Sequence, residues 1–253
     1  MINKKKVLSV ITARANSQGL PRKNYRKLND IPLINYSVIT SCNSQLVDIT
    51  VISSNCSHVL AAAKNYIDDN KLYFVPRPDE LAGPMSKNEG ALIHAYYYCA
   101  LKGIIDADII VNLQPTSPVR RATLIDDCLQ KMEDEQADSL LTVSRITPFM
   151  WRTIDGKPKA FYDYQNRPMR QSIPESEFLM HDNGSIYITS RAILLDKLCR
   201  IGSKPALFEI SELEGYQIDS DLDFFVIENI LKYQQQESRN DRSNALSNQE
   251  SSG

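Results

Sequence analysis

Short apolar segments alternate along most of the chain with segments whose apolar residues recur at helical spacing. The first apolar run, residues 7–13, is rich in β-branched residues and precedes a polar loop with glycine and proline, which predicts a buried strand and the turn after it. Four further apolar runs predict strands at residues 48–53, 72–75, 107–113 and 139–143. Segments of helical spacing lie at residues 32–44, 59–66, 88–101 and 123–132.

This alternation predicts an α/β domain in which a mostly parallel sheet is covered by helices on both faces. Strands that are apolar throughout agree with this fold, because both faces of a strand in such a sheet are buried. The alternation of strand and helix patterns stops at residues 145–183. The prolines and the single tryptophan of this segment predict an excursion of hairpins and loops. A strand at 184–189 and an amphipathic helix at 221–233 follow, and the polar residues 234–253 predict a disordered tail.

Composition narrows the possible functions. A formal net charge of −2 argues against a general nucleic-acid-binding protein, because such proteins usually carry a basic excess. Five cysteines without C-x-x-C spacing favour neither a disulfide framework nor a zinc site, and they suit a reducing compartment. No apolar run approaches the roughly 20 residues that span a bilayer, and the apolar stretch after the basic start is short for a signal peptide. We therefore expect a cytoplasmic protein.

The loop after the first predicted strand carries groups suited to phosphate. Arg14, Arg22 and Lys23 lie within ten residues of one another, and Gly19 permits close approach of the backbone to a ligand. In open α/β sheets ligands bind at the carboxyl ends of strands, where cations and free N–H groups can hold a triphosphate. A solvated basic turn is the alternative that spacing alone leaves open. Neither G-x-G-x-x-G nor G-x-x-x-x-G-K-[ST] is present, which removes the main support for a Rossmann dinucleotide site or a P-loop.

Several motifs along the chain match one enzyme family. They are R-x-x-S-x-G-L-P-x-K-N at residues 14–24, L-N-D-I-P-L-I at 28–34, R-P-x-E-L-A at 77–82, Q-P-T-S-P-V-R at 114–120, R-Q at 170–171, N-G-S-I-Y at 183–187 and I-D-S-D-L-D-F at 218–224. Together they resemble the motifs of the acylneuraminate cytidylyltransferase family, the CMP-nonulosonic acid synthetases. Members make CMP-activated sialic acid, and relatives act on legionaminic acid, pseudaminic acid and Kdo. The resemblance extends over about residues 7–231.

The resemblance implies a Rossmann-like, three-layer nucleotidyltransferase fold of the glycosyltransferase-A-like kind, spanning residues 1–233. It also implies an activity, the transfer of CMP from CTP to the anomeric hydroxyl of a nonulosonic acid with release of pyrophosphate. A divalent cation, Mg²⁺ or Mn²⁺, is the implied cofactor. The implied assembly is a homodimer, with the excursion at about 145–183 as a dimerisation arm.

Individual residues acquire expected roles from the same resemblance. The expected catalytic residues are Arg14 and Lys23, which would hold the triphosphate, and Asp219, which would bind the metal. The expected nucleotide-binding residues are Arg14, Ser17, Lys23, Asn24 and Arg77. The expected sugar-binding residues are Gln114, Arg170 and Gln171. We expect the two later acids of the last motif, Asp221 and Asp223, to serve the start of the final helix instead of the metal.

Two positions depart from the family's pattern. Many members carry lysine at the position of Gln18 and a further aspartate at the position of Gln217. Two alternatives therefore stay open, namely a related sugar or cofactor nucleotidyltransferase with another base or acceptor, and a non-catalytic nucleotide-binding protein. The Asp106-Ala-Asp108 segment resembles the D-x-D of metal-dependent glycosyltransferases, but it precedes its strand and is expected at the opposite end of the sheet.

Overall fold

A seven-stranded sheet forms the centre of the protein in a computed structural model, which describes residues 4–15, 19–67 and 69–250. The strands are β1 (Val7–Thr12), β2 (Lys27–Leu28), β3 (Ile31–Pro32), β4 (Ile49–Ser54), β5 (Leu72–Pro76), β6 (Ile109–Leu113), β7 (Ser139–Ile146), β8 (Trp151–Ile154), β9 (Lys157–Ala160), β10 (Leu179–Ser190) and β11 (Pro205–Glu209). The α-helices are α1 (Leu33–Asn43), α2 (Ser57–Lys64), α3 (Asn88–Leu101), α4 (Leu124–Asp134), α5 (Arg191–Lys197) and α6 (Asp221–Glu250). Short 3₁₀ turns occur at Lys23–Tyr25, Asp79–Leu81, Arg170–Ser172 and Glu175–Glu177.

The strand order of the central sheet is β11-β7-β10-β6-β1-β4-β5. All neighbouring strands pair in parallel except β10, which is antiparallel to both β6 and β7. The carboxyl ends of the six parallel strands therefore meet at one edge of the sheet, and the loops that follow them can share a site. The predicted mostly parallel sheet is confirmed.

Helices cover both faces of this sheet. Side chains alternate along each strand, so Val7 and Ile11 of β1 point into a core beneath α1, α2 and α4. Leu8 and Val10 point into a second core beneath α3 and α5. All four side chains are fully buried, which explains why the strand is apolar throughout. The predicted three-layer arrangement is confirmed.

A third apolar cluster attaches α6 to the rest of the molecule. Phe224 and Ile227 of α6 are buried against Leu20, Leu28 and Leu33. The cluster brings the end of the chain onto the loop that follows β1. It places the two most distant of the matching motifs side by side.

Several elements differ from the sequence prediction. The elements β2, β3, α5 and β11 were not predicted, and β10 begins at Leu179, inside the predicted excursion, because its first half pairs with the end of β7. The rest of the excursion is irregular as expected, with a β8–β9 hairpin and two 3₁₀ turns. The last helix continues to Glu250, whereas composition predicts a disordered tail from residue 234. No proline or glycine interrupts it before Glu250.

No helix in the described ranges is both long and apolar enough to cross a membrane.

Candidate active site

A cleft of about 450 Å³ opens at the carboxyl edge of the sheet. Six of the residues predicted for the site line it: Arg14, Lys23, Asn24, Arg77, Gln114 and Asp219. They come from the loops after β1, β5 and β6 and from the segment just before α6. The sequence motifs are thus brought together by topology, although the first and the last lie some 200 positions apart.

Lys23 joins the loop after β1 to the segment before α6. Its Nζ donates to the backbone oxygen of Ile218 at 2.7 Å and to Asp219 Oδ1 at 3.0 Å. The Lys23 side chain is 9 % exposed, whereas that of Asp219 is 69 % exposed. The ion pair therefore holds the loop in place while the carboxylate stays accessible from the cleft.

Gly19 lets the same loop touch the acidic segment. A Cβ at this position would clash with the backbone oxygen of Asp219. Any other residue would push the loop away, because a backbone oxygen is not free to move as a flexible side chain is. The glycine of the first motif is thus required by the contact that brings Lys23 to Asp219.

The acids that follow Asp219 stabilise the start of α6, as expected. Asp223 Oδ2 accepts from the backbone N–H groups of Asp219 and Ser220 at 3.0 and 2.8 Å, and Ser220 Oγ accepts from the Asp223 N–H at 3.2 Å. This reciprocal arrangement is a capping box with aspartate at its third position. Partial burial opposes ionisation of Asp223, but these hydrogen bonds outweigh it and its pKa lies below the usual value. Asp221 pairs with Arg26, which leaves Asp219 as the acid open to a ligand.

Two guanidinium groups, those of Arg14 and Arg77, add positive charge to the cleft. Arg77 is buried and donates to Ser53 Oγ at 3.1 Å and to the Ser53 backbone oxygen. Arg14 donates to the backbone oxygen of Gly83 at 3.2 Å. Removal from water, and then the nearby charge of Arg14, lower the pKa of Arg77 to about 10. Neither arginine forms an ion pair with an acid of the described chain, so the pair is suited to an anionic ligand.

Arg120 anchors the loop that follows β6. It donates to the backbone oxygens of Gln114 and Ser185, both at 2.7 Å, and to the hydroxyls of Ser185 and Ser37 at 3.0 and 2.9 Å. All four acceptors are neutral, and removal from water lowers the pKa of Arg120 to about 9. The last residue of the Q-P-T-S-P-V-R motif thus fixes the backbone of the first, Gln114, at the cleft.

A second cleft of about 650 Å³ adjoins the first and shares Asp219 with it. Its lining includes Ser144, His181, Asn183, Glu212, Tyr216 and Gln217. Gln217 Nε2 donates to the backbone oxygen of Asn183. Gly184, with a φ of +69°, packs against Gln217 of the second cleft and lies near Gln114 of the first. The hydrogen bond from Gln217 therefore holds its side chain against the irregular part of β10.

Some predicted residues lie elsewhere. Arg170 and Gln171 are exposed on a 3₁₀ turn, line neither cleft, and keep their sugar-binding roles as predictions only. Ser17, and the departure at Gln18, fall outside the described residues. Asp106 lies before β6, where it accepts from Arg191 and Tyr96, which confirms its expected place at the opposite end of the sheet.

Sequence reasoning missed two amides. Asn88 is the first residue of α3 and lines the first cleft, and Asn112 is buried inside β6. Asn88 Nδ2 donates to Asn112 Oδ1 at 2.7 Å. The signal that could have revealed the pair is the single amide within the otherwise apolar strand I-I-V-N-L.

No group of three or more histidine, cysteine, aspartate or glutamate residues that could hold a metal ion occurs in the part of the chain that the structure describes. A cation at Asp219 would therefore have one protein carboxylate. Mg²⁺ commonly binds through one or two carboxylates and completes its shell with phosphate oxygens and water. The exposed Asp219 carboxylate beside a cationic cleft fits this pattern.

Comparison with known proteins gives consistent matches. A family model described as "Cytidylyltransferase" matches residues 8–219. Post-translational flagellin modification protein B of Campylobacter coli is 29 % identical over 236 residues, covering 89 % of this chain and 95 % of that protein. CMP-N,N'-diacetyllegionaminic acid synthase of Campylobacter jejuni is 27 % identical, covering 89 % and 94 %. N-acylneuraminate cytidylyltransferase of Escherichia coli O18:K1:H7 is 28 % identical, and the chain spans about half the length of that relative.

Solved structures show the same fold. CMP:2-keto-3-deoxy-manno-octonic acid synthetase complexed with CTP matches with a TM-score of 0.65 at 17 % identity, covering 90 % of this chain and 99 % of that one. A 4-diphosphocytidyl-2C-methyl-D-erythritol synthase from Anaerococcus prevotii matches with a TM-score of 0.61 at 11 % identity, covering 91 % and 98 %. The predicted nucleotidyltransferase fold is confirmed.

Proposed function

The chain belongs to the cytidylyltransferase family, and on this premise we propose that it transfers CMP from CTP to the anomeric hydroxyl of a nonulosonic acid. The observation that carries the proposal is the meeting of Arg14, Arg77 and Lys23 with one exposed acid, Asp219, in a single cleft. CMP-legionaminic acid synthase and N-acylneuraminate cytidylyltransferase are among its relatives, and the acceptor class is taken from them.

The proposed reaction is a displacement at phosphorus. The sugar hydroxyl oxygen forms a bond to the α-phosphorus of CTP, the bond to the pyrophosphate oxygen breaks, and the hydroxyl proton is released. Negative charge grows on the phosphoryl and leaving-group oxygens, so alignment and charge stabilisation supply most of the catalysis. The cations of the first cleft serve both purposes.

Residues of the first cleft have distinct roles in this proposal. Arg14 and Lys23 hold the triphosphate, and Arg77 seats the nucleotide from its buried position. Asn24 Nδ2 donates to the backbone oxygen of Arg14 at 3.0 Å, so it fixes the loop as well as lining the cleft. Ser17 completes the predicted nucleotide site.

The acceptor sugar is assigned to the second cleft, because that cleft shares Asp219 with the first. Gln114 lies at the boundary, where its Oε1 is 3.6 Å from the position of a Cβ on Gly184. A sugar placed there would lie beside the nucleotide, because Asp219 lines both clefts. Arg170 and Gln171 would have to approach from the excursion to contact it.

A divalent cation, Mg²⁺ or Mn²⁺, is proposed as the cofactor, with Asp219 as its protein ligand. When bound, it would neutralise charge on the phosphate oxygens. Lys23 now occupies one side of the same carboxylate. The ammonium therefore has to share Asp219 with the cation or turn towards the triphosphate.

Two further properties belong to the proposal. We infer a cytoplasmic location, consistent with five cysteines that are all unpaired. We also infer a homodimer formed through the excursion, which exposes the aromatic side chains of Trp151, Phe161 and Tyr164.

The test is incubation with CTP, Mg²⁺ and a panel of N-acetylneuraminic, legionaminic, pseudaminic and Kdo acceptors, with pyrophosphate release and product mass as readouts. Asp219→Asn should lower turnover roughly 100-fold or more, as expected when charge stabilisation at the reacting phosphate is removed. Asp221→Asn is the matched control and should retain turnover, because Asp221 contacts Arg26 and lies outside both clefts.

The outcomes separate the alternatives. CTP binding without turnover on any acceptor would favour a non-catalytic nucleotide-binding protein. Turnover with UTP, ATP or GTP in preference to CTP would favour a related nucleotidyltransferase of different base specificity. Either outcome contradicts the proposal.

A further inference from the structure

A chain of hydrogen bonds determines which end of the Asn88 amide faces the nucleotide cleft. Asn112 Nδ2 lies 3.2 Å from the backbone oxygen of Val10 and 3.4 Å from Thr12 Oγ1. A backbone carbonyl only accepts hydrogen bonds, so the NH₂ group of Asn112 must point towards Val10. Asn112 Oδ1 then faces Asn88, and Asn88 has to donate with its own NH₂ group, at 2.7 Å.

Burial makes this orientation costly to reverse. Asn112 is 1 % exposed and lies in β6 between β1 and β10. A reversed Asn112 amide would set its oxygen against the Val10 carbonyl oxygen and its NH₂ group against that of Asn88. Both buried polar groups would then be left without a hydrogen-bond partner, which is unfavourable away from water. The Asn88 amide is therefore held so that its NH₂ group bonds to Asn112 and its oxygen remains available to a ligand.

The unused Asn88 Oδ1 is a neutral acceptor in a cleft whose charged side chains are mostly donors. No hydrogen bond to Asn88 Oδ1 occurs among the residues that the structure describes. Arg14, Arg77 and Lys87 line the same cleft and offer only donors. A ligand group that reaches Asn88 must therefore be a donor itself.

The surroundings of Asn88 suit a flat heterocycle. Residues 81–88 supply one wall of the cleft, with the apolar side chains of Leu81 and Pro84, whereas Lys23 and Asp219 provide the contacts suited to phosphate and metal. Cytosine carries an amino group at the position where uracil carries a carbonyl oxygen. An acceptor of fixed orientation would bind the first group and repel the second.

We propose that Asn88 selects cytosine over uracil by accepting a hydrogen bond from the exocyclic amino group, and that Asn112 is the positioning residue that keeps the Asn88 oxygen turned to the base. The inference rests on the proposed use of CTP and adds to it the residue that reads the base. Because both side chains are neutral, we expect them to affect the relative affinities for CTP and UTP and not the charge stabilisation of the triphosphate.

The test measures dissociation constants by calorimetry for CTP, UTP and 2′-deoxy-CTP in the presence of Mg²⁺. Asn88→Ala should weaken CTP binding about 5- to 30-fold, the loss expected for one hydrogen bond at a site with an unpaired partner. UTP binding should stay the same or become tighter, because the acceptor that repels the uracil oxygen is removed. Asn112→Leu should reduce the preference for CTP, measured as the ratio of the CTP and UTP affinities. UTP should bind more tightly, because the freed Asn88 amide can rotate and donate to the uracil oxygen.

Asn35→Leu is the matched control for removal of a buried amide. Asn35 is fully buried in α1, donates to the backbone oxygen of Ala62 at 3.3 Å and lies outside both clefts. This variant should lose stability without changing the CTP-to-UTP ratio. Thermal melts of all variants verify folding, and Asn88→Ala alone suffices for the test if Asn112→Leu does not fold.

An unchanged CTP-to-UTP ratio in Asn88→Ala overturns the inference. An equal loss of affinity for CTP and UTP, absent with 2′-deoxy-CTP, would assign Asn88 to a ribose hydroxyl and also overturn it. These readouts depend on binding alone. Normal CTP preference without pyrophosphate release on any acceptor would instead contradict the proposed function and leave the base-reading role intact.

Discussion

Gly184 packs against Gln217 in a backbone conformation that favours glycine, with a φ of +69°. A Cβ at this position would clash with Gln217 Nε2, the atom that donates to the Asn183 backbone oxygen. The obstructing atom is the end of a flexible side chain. An alanine could therefore be accommodated by moving the Gln217 amide, at the expense of its hydrogen bond.

We predict that Gly184→Ala destabilises the protein more than Gly156→Ala. Gly156 has a φ of +75° but open space around its Cβ position, so it should show only the conformational cost of about 1–2 kcal/mol. Gly184→Ala should add roughly 0.5–1.5 kcal/mol for the displaced hydrogen bond. Urea denaturation of both variants measures the difference, and equal destabilisation would show that Gln217 is not held as described.

Residues of the long matching motifs could be predicted for the cleft, both the charged ones and the neutral Asn24 and Gln114, whereas Asn88, which lies outside those motifs, could not. Arg14, Lys23 and Asp219 belong to motifs with unusual charge patterns, and all three line the first cleft. Asn88 carries no such pattern, because its role depends on a partner in another element, Asn112. Arg170 was predicted from a two-residue match in an irregular segment, where tertiary contacts and not local pattern decide the position of a side chain.

At the scale of elements, the connection that leads into β11 depends on Asp138. Its carboxylate accepts from the N–H groups of Ser203 and Lys204 at 2.9 and 3.1 Å and from Ser139 Oγ at 2.9 Å. Desolvation raises the pKa of Asp138, but these hydrogen bonds outweigh it and the pKa is lowered overall. The ionised carboxylate therefore holds the loop against the start of β7.

We predict a pH-dependent contribution of Asp138 to stability. Because its pKa is lower in the folded protein, the stabilisation is present above the unfolded value of about 3.9 and is lost as pH falls through the folded value. Asp138→Asn should cost about 1–3 kcal/mol at pH 7, and the difference from wild type should shrink below about pH 4. Thermal or urea unfolding from pH 3 to 7 measures this.

Asp134→Asn is the control for that prediction. Among the described residues, Asp134 accepts a side-chain hydrogen bond only from Gln130 Nε2, at 2.8 Å on an exposed helix surface, so its replacement should change stability by less than about 0.5 kcal/mol. If both variants show the same pH profile, the proposed anchoring of β11 is wrong.

Elements with strong patterns were predicted and those stabilised by tertiary contacts were not. Each of the five strands and four helices predicted before residue 145 is present, because their apolar runs and helical spacing are unambiguous. The strand β11 begins with proline at the edge of the sheet and has only partial burial. The helix α5 has seven residues, too few to display a clear period, and its start is fixed by Ser190, whose hydroxyl accepts from the Ile193 N–H.

At the scale of the whole molecule, the polar end of α6 should be dispensable. Among the side chains described in α6, Phe224 and Ile227 are buried, and Ile230 and Leu231 pack against the same cluster. We predict that a chain ending at Gln236 keeps CTP-dependent turnover and melts within about 3 °C of the full chain, a shift of under about 1 kcal/mol.

A chain ending at Phe225 provides the contrast. It lacks Ile227 and the apolar residues after it, and burial of one such side chain contributes about 1.5–3 kcal/mol. This chain should unfold at a markedly lower temperature and lose turnover, because α6 no longer holds Asp219 near Lys23. Loss of activity on removing only residues 237–253 would show that the polar segment has a role in the site.

The contact between Lys23 and Asp219 has a consequence for the order in which ligands assemble. On the proposal that a divalent cation binds Asp219, the cation would compete with the nearly buried Lys23 ammonium for that carboxylate, and a displaced ammonium would need another anion. The triphosphate supplies one, so cation and nucleotide should each bind more tightly when the other is present. Thermodynamic reciprocity requires the same factor of enhancement in both directions. If Asp219 binds the cation as proposed, the Lys23–Asp219 ion pair would therefore weaken divalent-cation binding in the absence of the nucleotide.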